Sequence, residues 1–190
     1  MLRRSLLTSA IAASLLTTFS LPAFATQVYE TDLVIIGGGL SGLAAAQSAV
    51  DQGAKPIVLE KEAALGGGGN FPEGSLGVGT RYQKEHNINT TVDQVLTAAL
   101  QYHHYRADPH VLRVLIEESG KTIDWVMDKG AQMRGIRTMY PKDESLMTWH
   151  LFKGGAAGII QRFAKEVRAK GGTILTETPA KKLIVENGKV

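Results

Sequence analysis

The stretch Asp32–Ala46, which reads DLVIIGGGLSGLAAA, joins an apolar run to a cluster of glycines. The consecutive β-favouring residues 33–36 predict that Glu30–Gly39 is a strand that is covered on both faces, as in a parallel sheet, and runs into the glycines. Leu40–Gln52 is predicted as a helix with Leu43, Ala46 and Val50 on one face and a stop at Gly53. Pro56–Glu60 is predicted as a second strand. A strand, a turn, a helix and a strand within about 30 residues are typical of a βαβ unit.

Three glycines of this stretch fit the dinucleotide fingerprint G-x-G-x-x-G, namely Gly37, Gly39 and Gly42. The first permits a tight turn, the second lets the backbone approach a pyrophosphate, and the third lets helix and strand pack closely. The helix N-terminus offers unpaired N–H groups to the phosphates. Glu60 follows Gly42 by 18 residues, where a carboxylate accepts hydrogen bonds from ribose hydroxyls. The alternative is a structural glycine turn with an incidental acid.

A second glycine-rich stretch follows Glu60 and comprises Gly66–Asn70 and Gly74–Gly77. NAD and FAD share the first fingerprint, but a second set of backbone donors this close to the acid favours a larger cofactor extended across the sheet edge. A flexible surface loop is the competing interpretation. Twelve of the 21 glycines fall between Gly37 and Gly79, which indicates a site in this region.

Composition excludes several classes of function. The 190-residue chain has 21 basic and 18 acidic residues without a long basic run, so nucleic acid is not an expected partner. It has no cysteine, which excludes disulfides, thiolate metal sites, Cys-ligated Fe–S clusters and c-type haem attachment on this chain. Hydrophobic residues make up 44%, enough to build a core.

The remaining chain predicts helices and short strands around two irregular stretches. Residues 61–90 and 130–153 are expected to be irregular. The predicted elements are helices Thr91–Arg106, Asp108–Lys129 and Ala156–Lys170, and strands Thr173–Thr176 and Lys182–Glu186. Buried stripes are expected at Leu112, Leu115 and Ile116, at Ile123 and Val126, and at Ile159, Ile160, Phe163 and Val167. The hairpin dipeptide Asn187-Gly188 lacks a return strand, so we expect this sequence to be the front part of a longer protein.

Residues 1–25 read as a secretory signal peptide, with Arg3 and Arg4 before an apolar stretch and a small-x-small pattern ending at Ala25. A membrane anchor is the alternative, but the stretch is short for a span. The two arginines also fit a twin-arginine signal, and an ordinary Sec signal stays equally open. We expect residues 26–190 to be the N-terminal part of a cofactor-binding domain that is periplasmic or secreted, without a stable membrane anchor.

The Asp32–Ala46 stretch, together with Val58-Leu-Glu-Lys61 and Gly68-Gly69-Asn70, resembles the fumarate reductase/succinate dehydrogenase flavoprotein family. The closer likeness is to its soluble branch of periplasmic fumarate and urocanate reductases. It spans most of Asp32–Val190 and is specific mainly in residues 32–79. The resemblance implies an α/β, Rossmann-like FAD-binding domain with a parallel central sheet, truncated here before the capping domain.

The resemblance also assigns site residues by position. It places Ser41 at the pyrophosphate, Glu60 at the adenosine ribose with Lys61 beside it, and Ala180 at the adenine. Gly69 and Asn70, with Ser75, Leu76 and Gly77, are placed along the flavin half. The full candidate set is Gly37, Gly39, Leu40, Ser41, Gly42, Glu60, Lys61, Gly68, Gly69, Asn70, Ser75, Leu76, Gly77 and Ala180. Phe71-Pro72-Glu73 departs from the family pattern, in which Thr or Ser follows Gly-Gly-Asn, so the resemblance places the contacts around residues 71–76 only to within one or two positions. Membrane-bound members attach FAD through a histidine near the position of Asn70, and because asparagine cannot form that bond, the FAD is expected to be non-covalent.

The activity that the resemblance implies is reduction of the C=C bond of a small unsaturated carboxylate by hydride transfer from flavin N5. Electrons are expected from a separate donor protein, because the chain holds no haem or Fe–S ligands. The substrate clamp and the catalytic acid are expected beyond Val190, so no catalytic residue is assigned. The alternatives are a 3-ketosteroid dehydrogenase-like flavoenzyme and a non-catalytic, truncated dinucleotide-binding module.

Other polar residues carry weaker signals. His103, His104 and His110 lack an acidic partner at ligand spacing, so no metal site is expected. Arg134 and Arg137 are interpreted as solvated charges. Trp149-His150 precedes the Gly154-Gly155 loop and is interpreted as packing, with an approach to the flavin as the alternative.

Overall fold

The computed structural model describes residues 27–139 and 146–187. The chain divides into two compact units, Met1–Glu30 and Thr31–Val190, and every helix and strand below belongs to the second. The predicted signal peptide, residues 1–25, lies outside the described residues. Of the helices formed by the described ranges, none combines the length and the apolar character that crossing a bilayer requires.

The described part of Thr31–Val190 alternates short strands with helices of 5 to 20 residues. In chain order the elements are β1 (Leu33–Ile36), α1 (Leu40–Asp51), β2 (Pro56–Leu59), a 3-10 helix (Gly67–Asn70), β3 (Gly74–Leu76), α2 (Arg81–Glu85), α3 (Val92–Tyr102), α4 (Pro109–Asp128), β4 (Met133–Thr138), β5 (Met147–Phe152), α5 (Gly155–Ala169) and β6 (Thr173–Leu175).

The first sheet has the order β1-β2-β6, and all its strands are parallel. Ile35, Val58 and Ile174 form one row across it, because Ile35 pairs with Val58 and Val58 with Ile174. That row packs against Ala46, Val50 and Val167, which α1 and α5 contribute. The predicted βαβ unit and parallel sheet are confirmed, and so is the helix stop, since Gly53 has a φ of 82° just after α1.

The burial of β1 differs from the prediction. Val34 and Ile36, on the face opposite Ile35, are 51% and 60% exposed, and Leu33 is 42% exposed. The expectation of a strand covered on both faces is therefore wrong for the described structure. The physical reason is topological. Within the described residues β1 is an edge strand, and the packed helices α1 and α5 cover one face of its sheet.

A second sheet, with the order β3-β5-β4, is antiparallel and occupies the stretches that were predicted to be irregular. Along β5, burial alternates, and Thr148, His150 and Phe152 face the interior. Two of these three residues are polar, whereas the apolar Trp149 and Leu151 are only half-buried. The apolar pattern therefore does not mark the inner face, and for this reason sequence periodicity missed the strand.

The main core lies between α1, α4, β5 and α5. Its fully buried members include Leu43, Ile123, Ile160 and Phe163, which confirms the predicted faces of α1 and α5 and the second stripe of α4. The other buried stripe predicted on α4, which comprises Leu112, Leu115 and Ile116, is only partly confirmed. Ile116 is 1% exposed, whereas its neighbour Leu115 is 57% exposed. One residue is about 100° of rotation on a helix, which turns Leu115 away from the core that holds Ile116.

The predicted strand Lys182–Glu186 is not formed, apart from a single bridge at Glu186. Leu183, Ile184 and Val185 are exposed and lack regular structure. A strand requires a hydrogen-bonded neighbour, and in the described part of the chain this segment lies in neither sheet. The predicted turn partner Gly188 lies outside the described residues.

Candidate dinucleotide-binding site

The turn between β1 and α1 is shaped by its glycines. Gly37 has a φ of 103°, a conformation that glycine adopts without strain, and its N–H donates to the Leu59 carbonyl at 2.8 Å. A Cβ on Gly42 would overlap the Gly37 carbonyl oxygen and would lie 3.4 Å from the Ile35 side chain. The first turn of α1 therefore lies directly against the end of β1, and residue 42 must lack a side chain.

The N-terminus of α1 differs from those of α2, α3 and α4. Thr80, Thr91 and Asp108 cap those three helices by accepting hydrogen bonds from backbone N–H groups. Gly39 caps α1 and has no side chain to do so, and the first turn holds no acidic residue. The N–H groups at Leu40 and Ser41 thus keep the positive end of the helix open toward an anion.

Both carboxylate oxygens of Glu60 accept backbone hydrogen bonds, and one of these bonds comes from this turn. Its Oε2 accepts from the Gly38 N–H at 2.7 Å, and its Oε1 accepts from the Glu62 N–H at 2.9 Å. These bonds, with that of Glu62 the largest and that of Gly38 next, lower the pKa of the carboxyl although the residue is only 7% exposed. The site therefore presents a fixed negative charge that can accept further hydrogen bonds from hydroxyl groups.

The second glycine-rich stretch lies against the first. The Gly66 N–H donates to the Gly38 carbonyl at 2.9 Å, and Gly39 and Gly66 form a parallel bridge. A Cβ on Gly69 would lie 3.0 Å from the Cβ of Leu40, so the backbone at Gly69 closely approaches the start of α1. The structure thus brings Gly37–Gly42, Glu60 and Gly66–Gly69 together around the helix N-terminus.

Asn70 closes its own loop. Its side-chain amide donates to the Leu65 carbonyl at 2.9 Å. A Cβ on Gly66 would overlap that amide, so the glycine and the asparagine fit each other. The side chain of Asn70 therefore stabilises the loop that carries Gly68 and Gly69.

The other sequence-predicted residues lie farther from the turn or point to solvent. The Lys61 side chain is exposed and pairs with Glu62 at 3.5 Å. Ser75 and Leu76 lie on β3 in the second sheet, and the Gly77 N–H donates to the Thr148 carbonyl at 2.9 Å. Ala180 is exposed two residues after Thr178, whose N–H donates to the Glu60 carbonyl at 2.8 Å.

The family model described as "FAD binding domain" matches residues 32–190. The chain belongs to the FAD binding domain family. It is 35% identical over 150 residues to the vinyl phenol reductase of Lactiplantibacillus plantarum, a match that covers 78% of this chain and 30% of that protein. It is 31% identical over 119 residues to the fumarate reductase (cytochrome) of Shewanella frigidimarina, covering 62% and 21%.

Among solved structures, the open conformation of a flavocytochrome c3 fumarate reductase superposes with a TM-score of 0.69 at 21% identity. That match covers 83% of this chain and 28% of the flavocytochrome chain, and it shows that the two share a fold. The chain thus spans about a third or less of the length of these relatives. The resemblance to fumarate reductase flavoproteins and the Rossmann-like α/β fold are confirmed.

The residues at the turn fit the FAD of this family. FAD carries a pyrophosphate and a ribose, and the turn offers an uncapped helix N-terminus beside a buried carboxylate. The backbone of Gly66–Gly69 also lies close to the start of α1. At Gly68, no atom lies within 4 Å of the position that a Cβ would occupy. In this FAD binding domain, Gly39, Leu40 and Ser41 would hold the pyrophosphate, and Glu60 would hold the ribose.

The burial of His150 agrees with its interpretation as a packing residue, but sequence reasoning missed the buried polar cluster around it in the FAD binding domain. Thr80, Gln83, Thr148 and His150 are all 1% exposed or less. The T-x-x-Q capping pattern of Thr80 and Gln83 was an available signal for the start of α2. Its link to His150 spans 70 positions of sequence and carries no local signal.

The remaining polar candidates stay at the surface of the FAD binding domain. His103 and His104 follow the end of α3 and His110 lies in the first turn of α4, all exposed. Arg134 and Arg137 lie 3.3 Å and 3.9 Å from Glu73, and all three side chains are exposed. The interpretation of the two arginines as solvated charges agrees with this exposure.

Proposed function

We propose that the protein is a flavoprotein oxidoreductase that binds FAD at the Gly37–Gly42 turn and reduces the C=C bond of a small unsaturated carboxylate. The observation that carries the proposal is the hydrogen bond between Glu60 and Gly38 beside the uncapped N-terminus of α1. That pairing provides sites for a ribose and a pyrophosphate side by side. The relatives named as reductases support the direction of the reaction.

Bound FAD supplies hydride chemistry at its flavin ring. The chain's own residues bind and orient it. The N–H groups of Leu40 and Ser41 would bind the pyrophosphate, and the Glu60 carboxylate would accept hydrogen bonds from the ribose hydroxyls. Because Glu60 is already fixed by two backbone N–H groups, its position is set before the cofactor binds. Asn70, with its amide bonded to the Leu65 carbonyl, offers no nucleophile for a covalent flavin link, so we propose non-covalent FAD.

One of the relatives supports the proposed substrate class. Fumarate is a dicarboxylate, and the fumarate reductase (cytochrome) relative supports an acidic substrate. Such a substrate requires a cationic clamp and a proton donor. We propose a separate donor protein as the source of the electrons.

Mixing the anaerobically reduced flavoprotein with alkenes tests this function. The full protein, isolated from its own cells, is reduced and then mixed with fumarate, urocanate, a 4-vinylphenol or a 3-ketosteroid enone, and flavin re-oxidation is followed by absorbance. We expect rapid re-oxidation by fumarate or urocanate. Re-oxidation by the vinylphenol or the steroid alone would contradict a carboxylate substrate. A bound flavin that no alkene re-oxidises would contradict reductase activity altogether.

We also propose that the protein is exported with cleavage after Ala25. The arginines and apolar stretch of residues 1–25 support this. N-terminal sequencing of the exported protein should begin at Thr26. Changing Arg3 and Arg4 to lysine separates the two routes, because unchanged export contradicts a twin-arginine signal and blocked export contradicts an ordinary Sec signal.

A further inference from the structure

We propose that His150 is a positioning residue that holds the segment Ser75–Gly77 in place for the flavin, acting through Thr80. This inference rests on the proposed function, since Ser75, Leu76 and Gly77 are the candidate contacts of the flavin half. His150 itself is fully buried in the middle strand of the second sheet. Its imidazole ring therefore contacts other residues, including the segment Ser75–Gly77, and not solvent.

The hydrogen-bond partners of His150 indicate which ring nitrogen carries the proton. Its Nδ1 lies 3.0 Å from the Thr148 carbonyl, which can only accept, so Nδ1 carries the proton. In the neutral ring Nε2 is then an acceptor, and the Thr80 hydroxyl donates its one proton to Nε2 at 2.8 Å in preference to the Gln83 Oε1 at 3.4 Å. The Thr80 oxygen in turn accepts from the Gln83 N–H at 3.0 Å. The chain of bonds thus joins the start of α2 to β5 through one imidazole tautomer.

The imidazole ring also supports Gly77 directly. A Cβ on Gly77 would lie 2.8 Å from both Cε1 and Nδ1 of His150, so the glycine backbone rests on the ring. Ser75 pairs with His150 in the β-ladder, and the Gly77 N–H donates to the Thr148 carbonyl. The segment is therefore fixed by β5 along its length and by Thr80 at its end.

Helix α4 also holds this part of the chain. The Ser119 hydroxyl accepts from the Val78 N–H at 3.1 Å and donates to the Ile116 carbonyl at 2.6 Å. A Cβ on Gly120 would overlap the Val78 carbonyl oxygen, so α4 and the segment are in backbone contact. Residues 75–80 are thus held by both β5 and α4, which is the preorganisation that a rigid cofactor contact needs.

The neutral form of His150 is the one that this arrangement selects. Burial lowers the pKa of the imidazole, while the Thr148 carbonyl and the charge of Asp124 on α4 act in the opposite direction. Tyr82 of α2 presents its ring edge-on at a centroid distance of 6.0 Å and adds no charge. A neutral imidazole with its proton on Nδ1 is thus the species that accepts from Thr80.

Two pairs of variants of the full protein test the role. His150→Asn keeps a donor for Thr148 but removes the acceptor for Thr80, whereas the amide oxygen of His150→Gln reaches toward the Nε2 position. Thr80→Val removes the hydroxyl and Thr80→Ser keeps it. Thr91→Val is the control, because Thr91 caps α3 with the same kind of capping box, but it is exposed and its hydroxyl bonds Gln94. The readouts are the FAD dissociation constant by flavin fluorescence, the melting temperature and the ¹⁵N shifts of the imidazole.

We expect His150→Asn and Thr80→Val to raise the dissociation constant about tenfold, and the Gln and Ser variants to stay within about threefold of the wild type. Thr91→Val should lower stability and leave FAD affinity unchanged. Wild-type affinity in both His150→Asn and Thr80→Val would overturn the role, and so would equal weakening by Thr91→Val. An imidazole protonated on Nε2 would overturn it even if a His150 variant fails to fold. A wild-type protein that binds no FAD would instead overturn the proposed function.

Discussion

The Glu60 carboxylate accepts a 2.7 Å hydrogen bond from the Gly38 N–H, which ties the end of β2 to the glycine turn after β1. This bond places a buried charge beside the open N-terminus of α1. The positive end of the helix and the acid would partly neutralise each other if they were in direct contact. Held apart by the turn, they are available to two different parts of one ligand, its phosphates and its hydroxyl groups.

Replacing Glu60 by glutamine should weaken FAD binding by at least about tenfold. The amide is neutral, and its NH2 group would face a backbone N–H that now donates to a carboxylate oxygen. Fluorescence titration measures the change. The lowered pKa keeps the carboxylate ionised down to and below its ordinary value of 4.5, so affinity should show no titration of Glu60 near neutral pH. Glu85→Gln on the exposed face of α2 is the control and should bind FAD as the wild type does. Equal affinity of the Glu60 and Glu85 variants would contradict the assignment.

Replacing Gly42 by alanine should separate α1 from β1, because the new Cβ overlaps the Gly37 carbonyl oxygen. The expected loss of stability is about 1–3 kcal/mol, with reduced FAD affinity, measured by urea unfolding and fluorescence titration. Gly135→Ala on β4 is the matched control, since its Cβ would meet nothing within 4 Å and its φ is not positive. A Gly42 variant as stable as the Gly135 variant would show that the close approach is not needed.

The sequence predicted the parts of the fold whose pattern is local. The apolar run of β1, the periodic face of α1 and the glycine fingerprint are all set by neighbouring residues. Their spacing to Glu60 was sufficient to place the acid beside the turn, where Gly38 binds it.

The second sheet could not be predicted in the same way, because its inner face is polar. Thr148 and His150 are buried by partners distant in sequence, and Gly74 pairs where a Cβ would overlap the His150 carbonyl oxygen. Strand β3 has only 3 residues, too few for a periodic pattern. The exposure of Leu115 and of β1 likewise depends on which surfaces of the fold pack against each other. Composition and periodicity do not determine that packing.

Asp51 joins the ends of three helices, and its removal should destabilise the fold. Its carboxylate pairs with Lys129 after α4 at 2.5 Å and with Lys170 after α5 at 2.6 Å. Partial burial raises the pKa of Asp51, but hydrogen bonds from Lys129, Lys170 and Gln47 outweigh it and lower the pKa to about 2. Asp51→Asn should cost about 1–2 kcal/mol of unfolding free energy at neutral pH.

The pH dependence of this loss has a definite sign. Because the folded pKa is below the ordinary value of 3.8, the stabilisation is present above pH 3.8 and is lost as the pH falls toward 2. The wild type and Asp51→Asn should therefore converge in acid, as urea unfolding at several pH values will show. Glu118→Gln breaks an exposed pair with Lys121 and should change stability by less than about 0.5 kcal/mol at any pH. A constant difference between wild type and Asp51→Asn down to pH 2 would contradict the ion-pair account.

The flavin should be released when the loaded protein is precipitated with acid. The side chain of Asn70 offers no nucleophile, and its amide is engaged with the Leu65 carbonyl. Absorbance of the supernatant and of the washed pellet measures the partition. Flavin that stays with the pellet would establish a covalent link and contradict non-covalent binding.

The most direct test of the account is a titration of the full protein with FAD in the presence and absence of NAD. The account predicts saturable binding with a structured, red-shifted flavin spectrum that excess NAD does not reverse, and that Glu60→Gln weakens. The absence of a saturable change, or displacement of the flavin by NAD, would contradict a FAD site at the turn formed by Gly37–Gly42 and Glu60.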